Sequence, residues 1–471
     1  MTVPGNLSSP LLATAAAAGG GGAGGVATRS LRFDADASAY LNKTFSTGNR
    51  KTYTLAFWVK SSNHSDGTAQ GFGGGQIFSA GTTGAGARAS IGFFGPSGGG
   101  NQDKFAVAHN ATGSTWATLS SDALFRDFSA WQHFVVAVDC SQSTASNRVK
   151  VYVNGSQIDM SGTYPSDENQ AINNNVGHAI GRYNPESKDY FNGYLCDIYF
   201  IDGSQLDATS FGAYDDNNVW QAAVYSGTFG TNGFHLSCSD GTSTTTIAED
   251  SSGNNNDFTA NNFSVSAGAG NDSLFDVPTN GDTSSESGAG GEVSGCYCTL
   301  NPLHVANSSS DAKAKNGNLV WGGSSNTHHV IAGTFAISSG KYYWEATYTN
   351  ASSNYVGIGM CKADYRVRAI IPGYDEDDGF VIYNSAGRYY YNSTSTSAYG
   401  TSWTTGDVIG VRYDEGAVYF YKNGTIMNSS PILTLTGSWC PLFHTYDSGE
   451  WTVNFGQRPF AHSAPTNHKP L

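Results

Sequence analysis

Two short acidic stretches contain the side chains best suited to bind a metal ion. One holds Asp215 and Asp216, which are followed by two asparagines, and the other holds Asp375, Asp377 and Asp378. Calcium takes several carboxylate and carbonyl oxygens in a flexible arrangement. Each stretch is therefore a candidate Ca2+ loop. The simpler alternative, which needs no ligand, is that both are solvated acidic turns.

Aromatic side chains in turn-rich segments are the candidates for glycan binding. A sugar ring can stack on an exposed aromatic face while neighbouring amides bond its hydroxyls, and the chain has 26 tyrosines and 9 tryptophans. Most of these residues alternate along predicted strands and are expected to fill hydrophobic cores. The loop residues that remain as candidate ligand contacts are Trp116, Tyr183, Trp220, Tyr365, Tyr374 and Tyr389.

Local catalytic motifs give no support to an enzyme. Retaining glycoside hydrolysis needs two carboxyl groups about 5 Å apart, and the pattern E-x-D-x-x-E, which would place them on one strand face, does not occur. The HExxH and P-loop motifs do not occur either. His133 could act as a base, but its position in a predicted strand favours a core residue. We therefore predict no enzyme and no catalytic residues, although a triad of distant residues would leave no local motif.

Composition and charge limit the class of protein further. The net charge of −14 argues against nucleic-acid binding, which needs a basic surface. The seven cysteines form no CxxC pair, so buried free thiols are expected. Residues 11–26 are too glycine-rich and too few to span a bilayer, so no membrane insertion is expected. With 59 glycines and no convincing helical periodicity, the chain is predicted to be all-β.

Two Asn-Gly pairs indicate how the strands are connected. Asn154-Gly155 and Asn423-Gly424 each follow an alternating strand, and both residues of such a pair tolerate the positive φ that a type I′ hairpin turn requires. Each hairpin also follows another alternating strand that ends in aspartate, at Asp139 and at Asp414. The repeated unit predicts two antiparallel β domains.

Residues 29–203 read as short strands separated by Gly, Ser and Asn turns, which indicates a sandwich or jelly roll. The segments that carry a family resemblance are residues 30–33, 54–59, 131–134, 151–155, 191–193 and 197–198. In order and spacing they resemble the laminin-G-like, concanavalin-A-like lectin/glucanase jelly rolls. The resemblance implies a lectin-like scaffold, in which loops often carry calcium.

Residues 316–471 contain a second ordered set of motifs. They are residues 340–345, 356–359, 406–411, 419–424 and 453–460. This set resembles the SPRY (B30.2-type) β sandwich. The predicted fold class is therefore all-β, with two antiparallel β-sandwich (jelly-roll) domains, one concanavalin-A-like and one SPRY-like. Residues 204–315 are expected to form an extension packed on the first domain, followed by a linker.

Residues 1–28 form a Gly/Ala-rich N-terminal arm, a possible assembly peg, ahead of the two domains. The whole layout resembles virion appendage proteins of tailed bacteriophages. The resemblance implies a non-enzymatic tail fibre or spike in the virion, assembled in the host cytoplasm. Its arm would contact other virion proteins, and its jelly-roll loops would bind a host surface glycan or receptor. A homo-oligomer, such as a trimer, is expected. The alternatives are a capsid decoration or vertex protein and, third, a polysaccharide depolymerase.

Overall fold

The computed structural model divides into two compact units. Of the described residues, the first unit comprises 27–266 together with 270–279, and the second comprises the residues from 287 onward together with 267–269. The residues that the structure describes are 27–62, 73–83, 86–95, 101–110, 116–279, 287–307, 313–323, 326–350, 356–373, 379–383, 387–391 and 394–471.

The first unit is built almost entirely from short strands. Up to residue 202 they are β1 (Ser30–Phe33), β2 (Tyr40–Thr44), β3 (Thr52–Ser61), β4 (Gly73–Gly81), β5 (Arg88–Phe94), β6 (Phe105–Asn110), β7 (Ala117–Ser121), β8 (Gln132–Asp139), β9 (Val149–Val153), β10 (Ser156–Ile158), β11 (Met160–Gly162), β12 (Gly177–Ile180) and β13 (Gly193–Asp202). After them come β14 (Gly212–Tyr214), β15 (Trp220–Ala222), β16 (Phe234–Leu236), β17 (Thr259–Asn261) and β18 (Ser273–Leu274). Single 3-10 turns lie at Ala145–Asn147, Asn184–Glu186, Ala208–Ser210 and Thr246–Ala248.

Two antiparallel sheets of the first unit form a sandwich. One has the order β10-β9-β8-β3-β13-β1-β18, with β16 also paired to β13, and the other has the order β11-β7-β6-β5-β4-β12-β2-β17. Alternate residues of each strand point between the sheets. Phe134 contributes the central ring, which lies 4.5 Å from Phe105 and 5.7 Å from both Phe57 and Phe93 between ring centroids. The predicted all-β sandwich is confirmed.

The segment after residue 203 contributes strands to the two sheets of the first unit and does not only pack on their surface. β16, β17 and β18 pair with β13, β2 and β1, and buried ion pairs join Arg32 to Asp272 and Lys60 to Asp276. The predicted domain end at residue 203 therefore comes too early. Strands of two or three residues are too short to show the alternation from which a strand is recognised.

The second unit is also a sandwich of two antiparallel sheets. Its strands are β19 (Leu300–Asn307), β20 (Lys313–Lys315), β21 (Val320–Gly322), β22 (His328–Gly333), β23 (Lys341–Asn350), β24 (Gly357–Lys362), β25 (Gly379–Tyr383), β26 (Arg388–Tyr391), β27 (Thr394–Ala398), β28 (Val408–Asp414), β29 (Ala417–Lys422), β30 (Thr425–Ile426), β31 (Leu433–Thr434), β32 (Trp439–Tyr446) and β33 (Glu450–Asn454). The sheet orders are β19-β22-β32-β24-β25-β26-β27 and β20-β21-β33-β23-β28-β29-β30, with β31 also paired to β29. Because β19 and β20 pair with β22 and β21, this unit begins before the predicted residue 316.

Two other sequence predictions can be compared with this fold. All seven cysteines are free thiols, and all except Cys296 are buried. No helix in the described part of the chain is long and apolar enough to cross a membrane. The N-terminal arm, except for residues 27 and 28, lies outside the described residues.

The two Asn-Gly pairs form the predicted turns. The φ angles are +46° and +83° at Asn154 and Gly155, and +48° and +77° at Asn423 and Gly424. Positive φ at both central residues is the signature of a type I′ turn, whose twist matches that of the flanking strands. The surroundings differ, because a Cβ atom on Gly155 would overlap the Trp220 ring, whereas one on Gly424 would lie 3.0 Å from His462 Nδ1.

This difference predicts unequal costs for the same substitution. Gly424→Val is expected to destabilise the second unit by about 1–3 kcal/mol, because a β-branched residue is strained at positive φ. Gly155→Val adds a collision with a buried ring, and we expect a total of about 2–4 kcal/mol in the first unit. Urea unfolding of the two variants measures both costs. Equal losses would show that Trp220 does not pack on the first turn.

Candidate functional site

The hairpin of β14 and β15 carries two of the predicted metal ligands and one predicted aromatic contact. Asp215 organises its tip, because Oδ1 accepts the N–H groups of Asn217 and Val219, both at 2.9 Å, and Oδ2 accepts Gln221 Nε2 at 3.0 Å. These hydrogen bonds lower the pKa of Asp215, and the bond from the Val219 N–H has the largest effect. The carboxylate thus serves as the cap of the turn.

Trp220 anchors this hairpin to the sandwich. Its indole Nε1 donates to His133 Nδ1 at 3.2 Å, and the two rings stack with centroids 6.0 Å apart. Burial lowers the pKa of His133 to about 3, so the imidazole is neutral and Nδ1 can accept. Trp220 is only 7% exposed. The expectation of an exposed ligand contact at Trp220 is therefore corrected, whereas the expected core position of His133 agrees with the structure.

Tyr214 is the exposed aromatic residue of the hairpin, and it is not among the aromatic contacts predicted from the sequence. Its side chain is 49% exposed, yet its hydroxyl is fixed, donating to the Asn154 carbonyl at 2.8 Å and lying 3.0 Å from Ser156 Oγ. Its ring meets Trp220 edge-on with centroids 5.0 Å apart. An aromatic residue directly before an Asp-Asp-Asn-Asn turn was the signal available in the sequence.

We call the exposed part of this hairpin the hairpin surface. It consists of Tyr214, Asp216, Asn217, Asn218 and Val219, all of which are exposed. A half-exposed ring and an apolar side chain thus lie in the same short hairpin as one carboxylate and two amides. This combination supplies an apolar contact together with hydrogen-bond donors and acceptors, as small polar ligands require.

The other predicted aromatic contacts do not join the hairpin. Trp116, just before β7, is 40% exposed. Tyr183 and Tyr365 are buried; Lys188 Nζ lies 6.0 Å from the Tyr183 ring centre. Tyr389 is half-buried in β26, and Tyr374 lies outside the described residues. Burial thus leaves Tyr183 and Tyr365 without an exposed stacking face, because their rings pack on neighbouring residues.

Calcium binding stays a prediction. Asp215 Oδ1 already accepts two N–H groups and Oδ2 accepts one, so the exposed Asp216 is the more available carboxylate of that stretch. The described residues contain no group of three or more His, Cys, Asp or Glu side chains that could hold a metal ion. The second stretch, Asp375, Asp377 and Asp378, lies outside the described residues.

Two protein-family models match separate parts of the chain. Residues 33–208 match the model described as the concanavalin A-like lectin/glucanases superfamily. Residues 341–458 match the SPRY domain model. Both matches fall where the sequence motifs predicted them, one in each compact unit.

Similar proteins are known for about a quarter of the chain. A Ran-binding proteins 9/10 homolog of Drosophila melanogaster is 31% identical over 127 residues, which are 26% of this chain and 13% of that protein. Protein ssh4 of Aspergillus fumigatus is 33% identical over 123 residues, 25% of this chain and 24% of that protein. The chain thus spans less than a quarter of either relative. These fly and fungal relatives give no support to a bacteriophage origin.

Solved structures are similar at lower identity. The SPRY domain of human HERC1 is 17% identical and covers 33% of this chain and 96% of its own, with a TM-score of 0.28. A heptameric SAP-like pentraxin from Limulus polyphemus is 16% identical and covers 39% of this chain and 80% of its own, with a TM-score of 0.29. Together with the two family models, the observed sheets identify the chain as an all-β protein with a concanavalin A-like domain followed by a SPRY domain.

Proposed function

We propose that this chain is a recognition protein that binds carbohydrate at the hairpin surface. The observation that carries the proposal is the half-exposed ring of Tyr214, which is held in place through its hydroxyl. A ring fixed before binding loses little conformational entropy when a ligand stacks on it. The neighbouring Asp216, Asn217 and Asn218 side chains are exposed and supply partners for sugar hydroxyls.

The biological setting that we propose is a virion of tail-fibre or spike type. In this setting residues 1–28 contact other virion proteins, and the chain assembles as a homo-oligomer such as a trimer. The N-terminal sequence and its position ahead of two recognition domains support this setting. A capsid decoration or vertex protein is the alternative, and a polysaccharide depolymerase is a third. Locating the chain on particles by cryo-EM, at the tail or on the shell lattice, separates the first two.

Replacing Tyr214 with alanine is expected to weaken carbohydrate binding at least tenfold, because the variant loses the stacking face at the centre of the site. The full chain would first be applied to an array of bacterial surface polysaccharides and eukaryotic glycans, and the best-bound glycan then titrated against each variant. Trp116→Ala, which removes an exposed ring elsewhere, is the matched control and should bind normally. No array binding at micromolar protein, or loss only in Trp116→Ala, would contradict the proposal.

A further inference from the structure

Three side chains of the first unit form a relay that the proposed recognition function does not use. His235 Nε2 lies 2.6 Å from Asp197 Oδ1, and Ser251 Oγ lies 2.8 Å from His235 Nδ1. Asp197 belongs to β13, His235 belongs to β16, and Ser251 follows the 3-10 turn Thr246–Ala248. The fold thus brings together a carboxylate, an imidazole and a hydroxyl from distant positions in the chain.

Exposure increases along this relay. The side chain of Asp197 is 4% exposed and that of His235 is 14% exposed, whereas Ser251 is an exposed residue. A buried carboxylate that accepts Nε2–H fixes the tautomer of the imidazole, so that Nδ1 presents its lone pair to the Ser251 hydroxyl. The only fully accessible member of the relay is the one that could attack a ligand.

The backbone at Asp197 is unusual for a central strand. Asp197 has a φ of +53° and lies where the pairing of β13 with β3 shifts register between Cys196 and Tyr199. An extra residue in a strand redirects the side chain next to it, and such bulges are common beside active sites. Here the bulge coincides with the residue whose carboxylate reaches His235.

His235 is held by contacts on two further sides. Its ring stacks on Tyr199 with centroids 3.9 Å apart and an interplanar angle of 6°. Its backbone N–H donates to Asp250 Oδ1 at 2.8 Å. A ring fixed by stacking, by a carboxylate and by its own backbone is preorganised for proton transfer.

The turn that carries Ser251 is formed without the relay. The Ser251 N–H donates to the His235 carbonyl at 2.8 Å, and Asp250 accepts the N–H groups of Ser252 and Asn256. The Ser251 hydroxyl can donate its proton to the His235 carbonyl oxygen, 2.9 Å away, as well as to His235 Nδ1. If the Ser251 hydroxyl only stabilised the turn, it would therefore duplicate contacts that the backbone and Asp250 already make.

Gly253, two residues after Ser251, is exposed in the same turn. A Cβ atom there would meet nothing within 4 Å, and the φ angle is +91°. Within the described part of the chain, no hydrogen bond uses the Gly253 N–H. This group is the donor that we assign to the oxygen of a bound acyl group.

We propose that Asp197, His235 and Ser251 form an acyl-transfer triad that hydrolyses esters of small acyl groups. Ser251 and His235 are the catalytic residues, and Asp197 is the residue that positions His235. The exposure of Ser251 favours an acyl group carried on a larger molecule. The proposal goes beyond recognition and does not depend on binding at the hairpin surface.

The reaction balances with these groups and one water molecule. Ser251 Oγ attacks the acyl carbon while its proton passes to His235 Nδ1, and the same proton then goes to the departing alcohol oxygen as the ester bond breaks. Water attacks the acyl-serine and gives one proton to Nδ1. The carboxylic acid leaves when the bond to Oγ breaks, and the proton returns from Nδ1 to Ser251. Asp197 accepts the Nε2–H bond throughout and needs no change in protonation.

A fluorophosphonate probe tests the proposal on the full chain. We expect one phosphonyl adduct, located on Ser251 by peptide mass spectrometry, and none in Ser251→Ala. Ser252→Ala is the matched control, since its hydroxyl lies in the same turn but donates to Asp250 Oδ2 at 2.9 Å, and it should label like the wild type. With p-nitrophenyl acetate, His235→Gln is expected to lower kcat at least 100-fold. Asp197→Asn is also expected to lower kcat at least 100-fold and to leave KM unchanged.

Two results would overturn the triad. One is the absence of labelling in the wild-type chain at probe concentrations that saturate a serine hydrolase treated in parallel. The other is labelling or esterase activity that persists in Ser251→Ala. Both are measured without Asp197→Asn, so they decide the question even if that variant does not fold. Neither result bears on carbohydrate binding at Tyr214, which the glycan titration measures separately.

Discussion

Lys60→Met is expected to lower the free energy of unfolding of the first unit by about 3–5 kcal/mol, because it leaves a buried carboxylate without its cation. Lys60 Nζ lies 2.8 Å from Asp276 Oδ2, and the two side chains are 1% and 0% exposed. Asp276 Oδ1 also accepts Trp131 Nε1 at 2.9 Å. That bond does not neutralise the charge that Lys60 balances. The loss is measured by urea unfolding of the full chain, in which hydrogen exchange in peptides of the first unit reports the unfolding of that unit.

A surface pair whose lysine directly precedes the same strand provides the control. Lys51 Nζ lies 2.7 Å from Asp167 Oδ1, but the side chains are 35% and 54% exposed, so Lys51→Met should cost less than about 1 kcal/mol. Similar costs for the two substitutions would contradict the buried position of the Lys60 pair. Because Lys60 belongs to β3 and Asp276 follows β18, a large loss would also show that residues after 203 are an integral part of the first unit.

Lowering the pH from 7 to 5 is expected to remove about 3–6 kcal/mol of stability that three buried histidines contribute to the first unit, or about 1–2 kcal/mol for each histidine. Burial lowers the pKa of His109 and His178 to about 4 and that of His133 to about 3. The folded unit therefore keeps all three neutral while the unfolded chain takes up protons near pH 6.5. Their contribution is fully present above pH 6.5 and is lost as the pH falls towards 4.

The hydrogen bonds agree with neutral rings at two of these positions. His133 Nδ1 accepts the Trp220 indole N–H, and His178 Nε2 accepts the Asn173 N–H at 3.0 Å. Protonation would place a proton on each accepting nitrogen and break these bonds. Urea unfolding at pH 7, 6 and 5 measures the effect, and His133→Gln should reduce the pH dependence by about a third. A free energy of unfolding that does not change over this range would contradict the neutral, buried histidines.

The sequence predicted those parts of the fold that leave a local pattern. Alternation predicted a strand that ends at Asp414, where β28 ends, and the Asn-Gly pairs predicted the two type I′ turns. The short strands β14, β15, β17 and β18 left no such pattern, because two or three residues show no alternation and depend on tertiary pairing. The end of the first unit and the beginning of the second were therefore placed incorrectly.

The candidate site was predicted only in part, for a related reason. The acidic turn and Trp220 pointed to the hairpin that carries the proposed site, but a sequence cannot show which aromatic ring of a hairpin faces solvent until its partner surface is known. Trp220 turned inward onto Gly155 and His133, and Tyr214 remained outside. Asp197, His235 and Ser251 share no local motif, since β13, β16 and a turn bring them together only in the folded unit.

The most direct test of recognition at the hairpin surface is hydrogen exchange of the full chain with and without the glycan that the array selects. A ligand that stacks on Tyr214 should slow exchange in peptides that cover residues 212–222 and in those that cover the turn at Asn154. The SPRY domain should be unaffected. Slower exchange confined to residues 341–458, or no change in peptides 212–222 at saturating glycan, would contradict the proposed site.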